Sequence, residues 1–131
     1  PRCKERGKNQ SGGQGKALGG VWFKCGIAKV RETGEDPYHG VERREAADAG
    51  RRAAPRVFTA GPLNEGARVS YGVSETVGPV EEARDSMRLS TELKLDLYKS
   101  YVRQDYTVQK SVIDLAHESG IPLTGQQLSP A

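Results

Sequence analysis

Gly12, Gly13 and Gly15 ahead of Lys16 are the part of the chain nearest to a phosphate-cradling loop, in which backbone amides wrap phosphate oxygens and the lysine pairs with them. That pattern places a glycine about five residues before the Gly-Lys pair and a metal-binding Ser or Thr after it. Gln10 and Ala17 stand at those positions, and no strand precedes them, so the segment reads as a flexible tail. His39 and His117 are the only histidines, and neither has a second histidine at ligand spacing or an acid beside it in a triad-like order. Cys3 and Cys25 are not at the C-x-x-C spacing of zinc or redox sites, and they read as two thiols of a reducing compartment, with a single bridge between them as the alternative. Ala116 and Gly120, followed by Ile121 and Leu123, echo the bend of a helix-turn-helix, but Gly125 and Gln126 fall where a recognition helix would need its core. These residues point to no catalytic, metal or cofactor site, and the expectation is a chain that is not an enzyme and binds no cofactor.

Charge gives a weak lead toward a partner. The formal net charge is +3 with a calculated pI near 9.0. Residues 1–31 carry eight basic side chains and one acid, residues 32–86 seven basic and eleven acidic, and residues 87–131 five of each. Only the N-terminal tip is basic, through Arg2, Lys4, Arg6, Lys8 and Lys16. A tip of that kind can meet phosphate, anionic lipid or an acidic protein groove. The pairs Arg43-Arg44 and Arg51-Arg52 are broken up by Glu45 and Asp48 and read as a solvated mixed-charge face.

The elements that would position any site are unevenly supplied. Residues 1–86 and 87–131 each contain 16 large apolar residues, whereas Gly and Pro number 19 in the first stretch and 4 in the second. Ordering glycine-rich chain costs conformational entropy that apolar burial must offset. Three regions follow: a basic Gly-rich extended tail at 1–20, a loop-rich arm at 21–86, and a helical anchor with a C-terminal tail at 87–131. Within the arm, VWFKCGIAKV at about 21–30 is rich in β-branched and aromatic residues and reads as a strand, and Val69, Tyr71 and Val73 permit a second at about 68–74. Val41–Ala49 supports at most a short exposed helix ending at Gly50. Leu89, Leu93, Leu97 and Tyr101 form an i, i+4 ladder with Ser90 or Thr91 as N-cap, and Leu95, Tyr98 and Val102 widen its apolar arc. This predicts a C-terminal helix or helical hairpin over about 88–120, with a break near Asp105 and a stop at Gly120.

The fold class expected from the sequence is therefore mainly irregular or extended, with small α content and one or two short strands. The function expected is that of a non-catalytic structural accessory or linker subunit of a large multi-protein assembly. Its anchor face would be Leu89, Leu93, Leu95, Leu97, Tyr98, Tyr101 and Val102 docked on other protein subunits. The alternative is an RNA-contacting subunit, such as a small ribosomal protein, using the basic tip. No run of about 18 apolar residues exists to span a membrane, which leaves peripheral association with a membrane complex as the only membrane role expected.

Overall fold

In this computed structural model the described residues are 14–126, with side chains described from residue 19 onward. They form four helices and six strands: α1 (Gln14–Lys24), β1 (Lys29–Glu32), α2 (Pro37–Asp48), β2 (Arg56–Thr59), β3 (Leu63–Glu65), β4 (Ser74–Thr76), α3 (Val80–Glu92), β5 (Tyr98–Ser100), α4 (Tyr106–Ser119) and β6 (Leu123–Gly125). Every strand pairing is parallel, β1 with β2 in one sheet and β4-β3-β5-β6 in the other. The two sheets meet where Asp96 N donates to Thr59 O at 3.0 Å and the Asp96 carboxylate accepts from Thr59 N at 3.0 Å. Helices cross between parallel strands three times, α2 from β1 to β2, α3 from β4 to β5 and α4 from β5 to β6, while β3 reaches its parallel neighbour β4 through the loop 66–73.

The expectation of a mainly irregular chain is overturned by this α/β order. The helix expected over 88–120 is two helices separated by a strand. Lys94 takes a positive φ of 51°, and Leu95 N turns back to Ser90 O at 2.9 Å, which stops α3 and releases an extended run into β5. Leu93, Leu95 and Leu97 also alternate at the period of a strand, so the same leucines fit both patterns. Ser90 and Thr91, expected to start the helix, lie near its end and bond back to the carbonyls of Ser86 and Met87, both at 2.9 Å. The start of α4 is capped by Asp105, whose carboxylate accepts from Thr107 N at 2.9 Å. Its stop is Gly120, with φ 67° and Ile121 N bonded to Ala116 O at 3.0 Å.

The arm differs as well. Val21–Lys24, expected in a strand, complete α1, and the strand begins only at Lys29. Residues 68–73 lie in the loop between β3 and β4 rather than in a strand. Asp36 caps α2 by accepting from His39 N at 2.9 Å with Pro37 in the first turn, so this helix starts before Val41. Val77, Ala83, Met87, Tyr98, Val108, Val112, Ala116 and Ile121 form the main apolar core between α3, α4 and the larger sheet. Strand register shows that the helices clad one face of the strands. Tyr98 and its partner Leu123 face the core, and so do Asn64 and its partner Ser100, leaving Glu65, Lys99 and Thr124 on the other face.

Candidate functional site at the strand ends

Glu65 is the last residue of β3, and Lys99 lies beside the end of β5, both on the face that carries no helices. Parallel strands bring their C-terminal ends to one edge, where loops project and reacting groups gather in α/β proteins. Two loops cover this edge, 66–73 after β3 and 101–105 after β5.

Lys99 is only 8% exposed, yet among the described residues its ammonium has neither a hydrogen-bond partner nor a carboxylate. It lies 5.7 Å from the centroid of the Tyr101 ring. Burial, and secondarily the positive charge of Arg31, lower its pKa from the ordinary lysine value. Arg31 belongs to β1 and is in register with Phe58 of β2. A lysine so placed holds a larger share of neutral amine near neutral pH, and that amine's lone pair can accept a proton or add to an electrophilic carbon.

Glu65 is fully buried and heavily bonded. Its Oε1 accepts from Ser70 Oγ at 2.6 Å and from Arg103 Nη1 at 2.8 Å, and its Oε2 accepts from Ser70 N at 2.9 Å. Burial pushes its pKa up, but the bonds from Ser70 and the charge of Arg103 outweigh that, so the carboxyl titrates below its ordinary value. It is a fixed anion that ties the two loops together. Arg103 Nη1 also donates to Ser70 Oγ at 2.6 Å. The tie is tight enough to need a glycine at 66, because a Cβ there would run into the Arg103 carbonyl, while Arg103 itself adopts φ 65°. Tyr71 and Tyr101 meet edge to face at 6.2 Å between centroids. Burial and Tyr71 push the Tyr101 phenol up, with Glu65 adding to the rise and Arg103 opposing it.

Away from this edge, Tyr98 is fully buried, and its hydroxyl lies 3.0 Å from Ser86 Oγ. Burial pushes its pKa up to about 12. A hollow at the opposite ends of β1 and β2 is lined by Trp22, Arg43, Arg52 and Pro55. Among the described residues no three of His, Cys, Asp and Glu come together as a metal-ligand group.

The residues expected from the sequence to form one anchor face are dispersed over several elements. Leu89 is in α3, Leu93 is its C-cap, Leu95 and Leu97 are buried in the extended run before β5, Tyr98 is in β5, and Tyr101 and Val102 follow it. Arg2, Lys4, Arg6 and Lys8 lie outside the described residues, as do Cys3, Gly12 and Gly13. Lys16 falls in α1. His39 and His117 are exposed on α2 and α4, and Cys25 is exposed after α1. Sequence reading missed Glu65, Lys99 and Arg103. The available signal was a lysine inside the alternating run from Leu93 to Tyr101, at a position that a buried strand reserves for apolar residues.

No protein-family profile matches the chain, and no curated protein does. Solved structures do share its fold. An amidohydrolase superposes with a TM-score of 0.71 at 16% identity over 84% of this chain and 35% of its own. A Xaa-Pro dipeptidase with bound methionine in its active site gives 0.70 at 19% identity over 83% and 34%. A protein assigned as a prolidase from Bifidobacterium longum gives 0.67 at 21% identity over 86% and 31%. This chain therefore has the parallel α/β fold found in about one third of each of those proteins. The expectations of a non-catalytic linker subunit, an RNA-contacting subunit and a chain without enzymatic character do not stand. The first rested on an arm without a fold of its own, the second on the basic tip and the third on the lack of a catalytic motif, whereas the arm builds β1 to β4 of a fold that an amidohydrolase and a Xaa-Pro dipeptidase share.

Proposed function

We propose that this chain is part of a hydrolase that acts on an amide bond, and that it supplies one wall of a (β/α) barrel with Lys99 at the reacting edge. The observation that carries the reading is Lys99, an almost fully buried lysine with no carboxylate, near the C-terminal end of a parallel strand on the helix-free face. Its stem is covered by the protein while its unpaired amine has a pKa below the ordinary lysine value, a combination that favours a chemical role over a packing role. A parallel sheet clad by helices on one face only suits a barrel wall, whose inner face looks onto the site. The structurally similar proteins, an amidohydrolase and a Xaa-Pro dipeptidase, suggest the bond type.

The test is hydrolysis of a panel of dipeptides, Xaa-Pro among them, and simple acyl amides by the hydrolase that contains this chain, with Lys99→Met as the variant. Loss of a proton-transferring or nucleophilic group costs about 10²–10⁴ in rate. A drop of that size with an unchanged circular-dichroism spectrum is expected. Equal rates for the variant and the natural chain, or no hydrolysis of any panel member, would count against the reading. Amine labelling with pH should separately show Lys99 reacting at lower pH than the exposed Lys110.

A further inference from the structure

The guanidinium of Arg103 is only half used by the protein. Its Nη1 donates to Glu65 and Ser70, and among the described residues Nε and Nη2 have no partner. The side chain is 41% exposed, on top of a Glu65 side chain that is 0% exposed. The glutamate thus holds Nη1 in place and leaves Nε and Nη2 unpaired on a half-exposed side chain. A planar fork with one edge clamped is preorganised for a carboxylate, which accepts two parallel N–H bonds from the open edge.

Position adds to this. Arg103 follows β5 on the loop that begins with Tyr101, and Tyr101 is the ring beside Lys99. Tyr71 sits against Tyr101 from the other loop. Open cation, aromatic wall and buried amine therefore lie along one edge, in the order Arg103, Tyr101 with Tyr71, Lys99. The carboxylate paired with it, Glu65, is already satisfied by Ser70 and by Nη1. The charge of Arg103 is balanced by the Glu65 anion beneath it, and Arg31 adds positive charge felt at Lys99.

We infer that the open edge of Arg103 binds the free carboxylate of the substrate, so that the site takes amides of amino acids or peptides ending in a free carboxylate and seats the side chain next to it on Tyr71 and Tyr101. The inference rests on the placement of the site proposed above, but it concerns binding, which can be measured without turnover. Glu65 and Ser70 are positioning residues here, because they act through the guanidinium.

The experiment is titration of the folded full chain with four probes, methionine, methioninamide, Ala-Pro and Ala-Pro amide, followed by NMR or calorimetry. Each acid is expected to bind at least about tenfold more tightly than its amide, in line with the strength of charge-assisted bidentate bonds. Arg103→Gln should bring that ratio to about one while the affinities for the amides stay unchanged. Arg103→Lys should restore part of the preference as a point charge without the fork. A melting curve on each variant identifies any that has simply unfolded, and the lysine variant covers loss of the glutamine one. Equal binding of acid and amide by the natural chain, no binding of any probe, or a preference that survives Arg103→Gln would each overturn the inference. Failure of hydrolysis with the acid preference intact would instead strike only the reaction proposed for Lys99.

Discussion

Residues 1–86 and 87–131 contain equal numbers of large apolar side chains over very unequal lengths, and the structure holds the two regions together by different means. The C-terminal region packs Met87, Tyr98, Val108, Val112 and Ile121 into one apolar core. The region from β1 to β3 brings its elements close by using small residues and buried polar ties. Gly40 lets α2 settle onto Thr59, Ala60 is fully buried, and Gly61 turns with φ 69° against Pro37 and Leu95. Glu35 pairs with Arg43 at 2.6 Å and accepts from Thr59 Oγ1 at 3.3 Å, while Arg44 reaches across to Asp96 at 3.0 Å. A low count of large apolar residues is therefore a statement about how elements pack, and close approach of small residues can replace side-chain bulk.

That contrast sets the scale of what substitutions should do. Val112→Asp, in the dense region, puts an unpaired carboxylate where no surface is exposed and should cost more than about 4 kcal/mol, a large share of a typical domain's whole stability. Loss of a cooperative urea transition is the expected result. Retention of one would mean that the apolar core is not the main support. Gly40→Ala tests the other region. The added methyl would meet Thr59 Oγ1 and the Glu35 carboxylate, and overpacking of this kind costs about 1–3 kcal/mol, offset in part by the helix preference of alanine. A urea midpoint as high as that of the natural chain would show that α2 is not packed this closely.

Two carboxylates of the sparse region, Glu35 and Glu65, should respond to pH in opposite directions. Burial, outweighing Arg43, raises Glu35 above its ordinary 4.5, so the folded chain holds that proton more tightly than the unfolded one. Its contribution to stability is complete below pH 4.5 and is lost as pH rises through the raised value. Glu65 is lowered from 4.5, so its contribution is present above that pH and is lost as pH falls through the lowered value. Urea midpoints across about pH 3 to 7 should show Glu35→Gln removing a decline on the alkaline side and Glu65→Gln removing one on the acid side. Changes of the same sign in both variants would break the comparison between them.

How much of this was legible in the sequence differs by element. The stop of α4 was readable because Gly120, Ile121 and Pro122 encode it locally. The strand inside 93–101 was not, because its leucines satisfy the periods of helix and strand together, and only the reversal at Lys94, a tertiary choice, decides between them. Helix α1 was hidden by aromatic and β-branched residues at 21–23, whose preference the surrounding packing overrides. The site was less legible still. Glu65, Lys99 and Arg103 have no fixed spacing, since they are joined by the parallel register of β3 and β5 and by two loops, and register is invisible to a motif.

The smallest effect expected concerns two arginines that look alike in a list of charges. Arg88, on α3 of the dense region, lies 3.1 Å from Asp85 and 3.8 Å from Glu92, but its side chain is 69% exposed and all three groups are on one turn-to-turn surface. Water already solvates them, and fixing long side chains loses entropy, so such pairs contribute about 0–1 kcal/mol. Arg44, on α2 of the sparse region, is largely covered and donates to Asp96, to Lys94 O at 2.6 Å and to Leu93 O at 3.4 Å, joining α2 to the turn that ends α3. Removing it leaves partly buried acceptors without a donor, which costs about 1–3 kcal/mol. Arg88→Ala should therefore leave the urea midpoint within error, whereas Arg44→Ala should lower it clearly, although Arg88 sits beside the better-packed core. The reverse order would mean that apolar density, and not the polar ties of the small-residue region, governs where a charge matters in this chain.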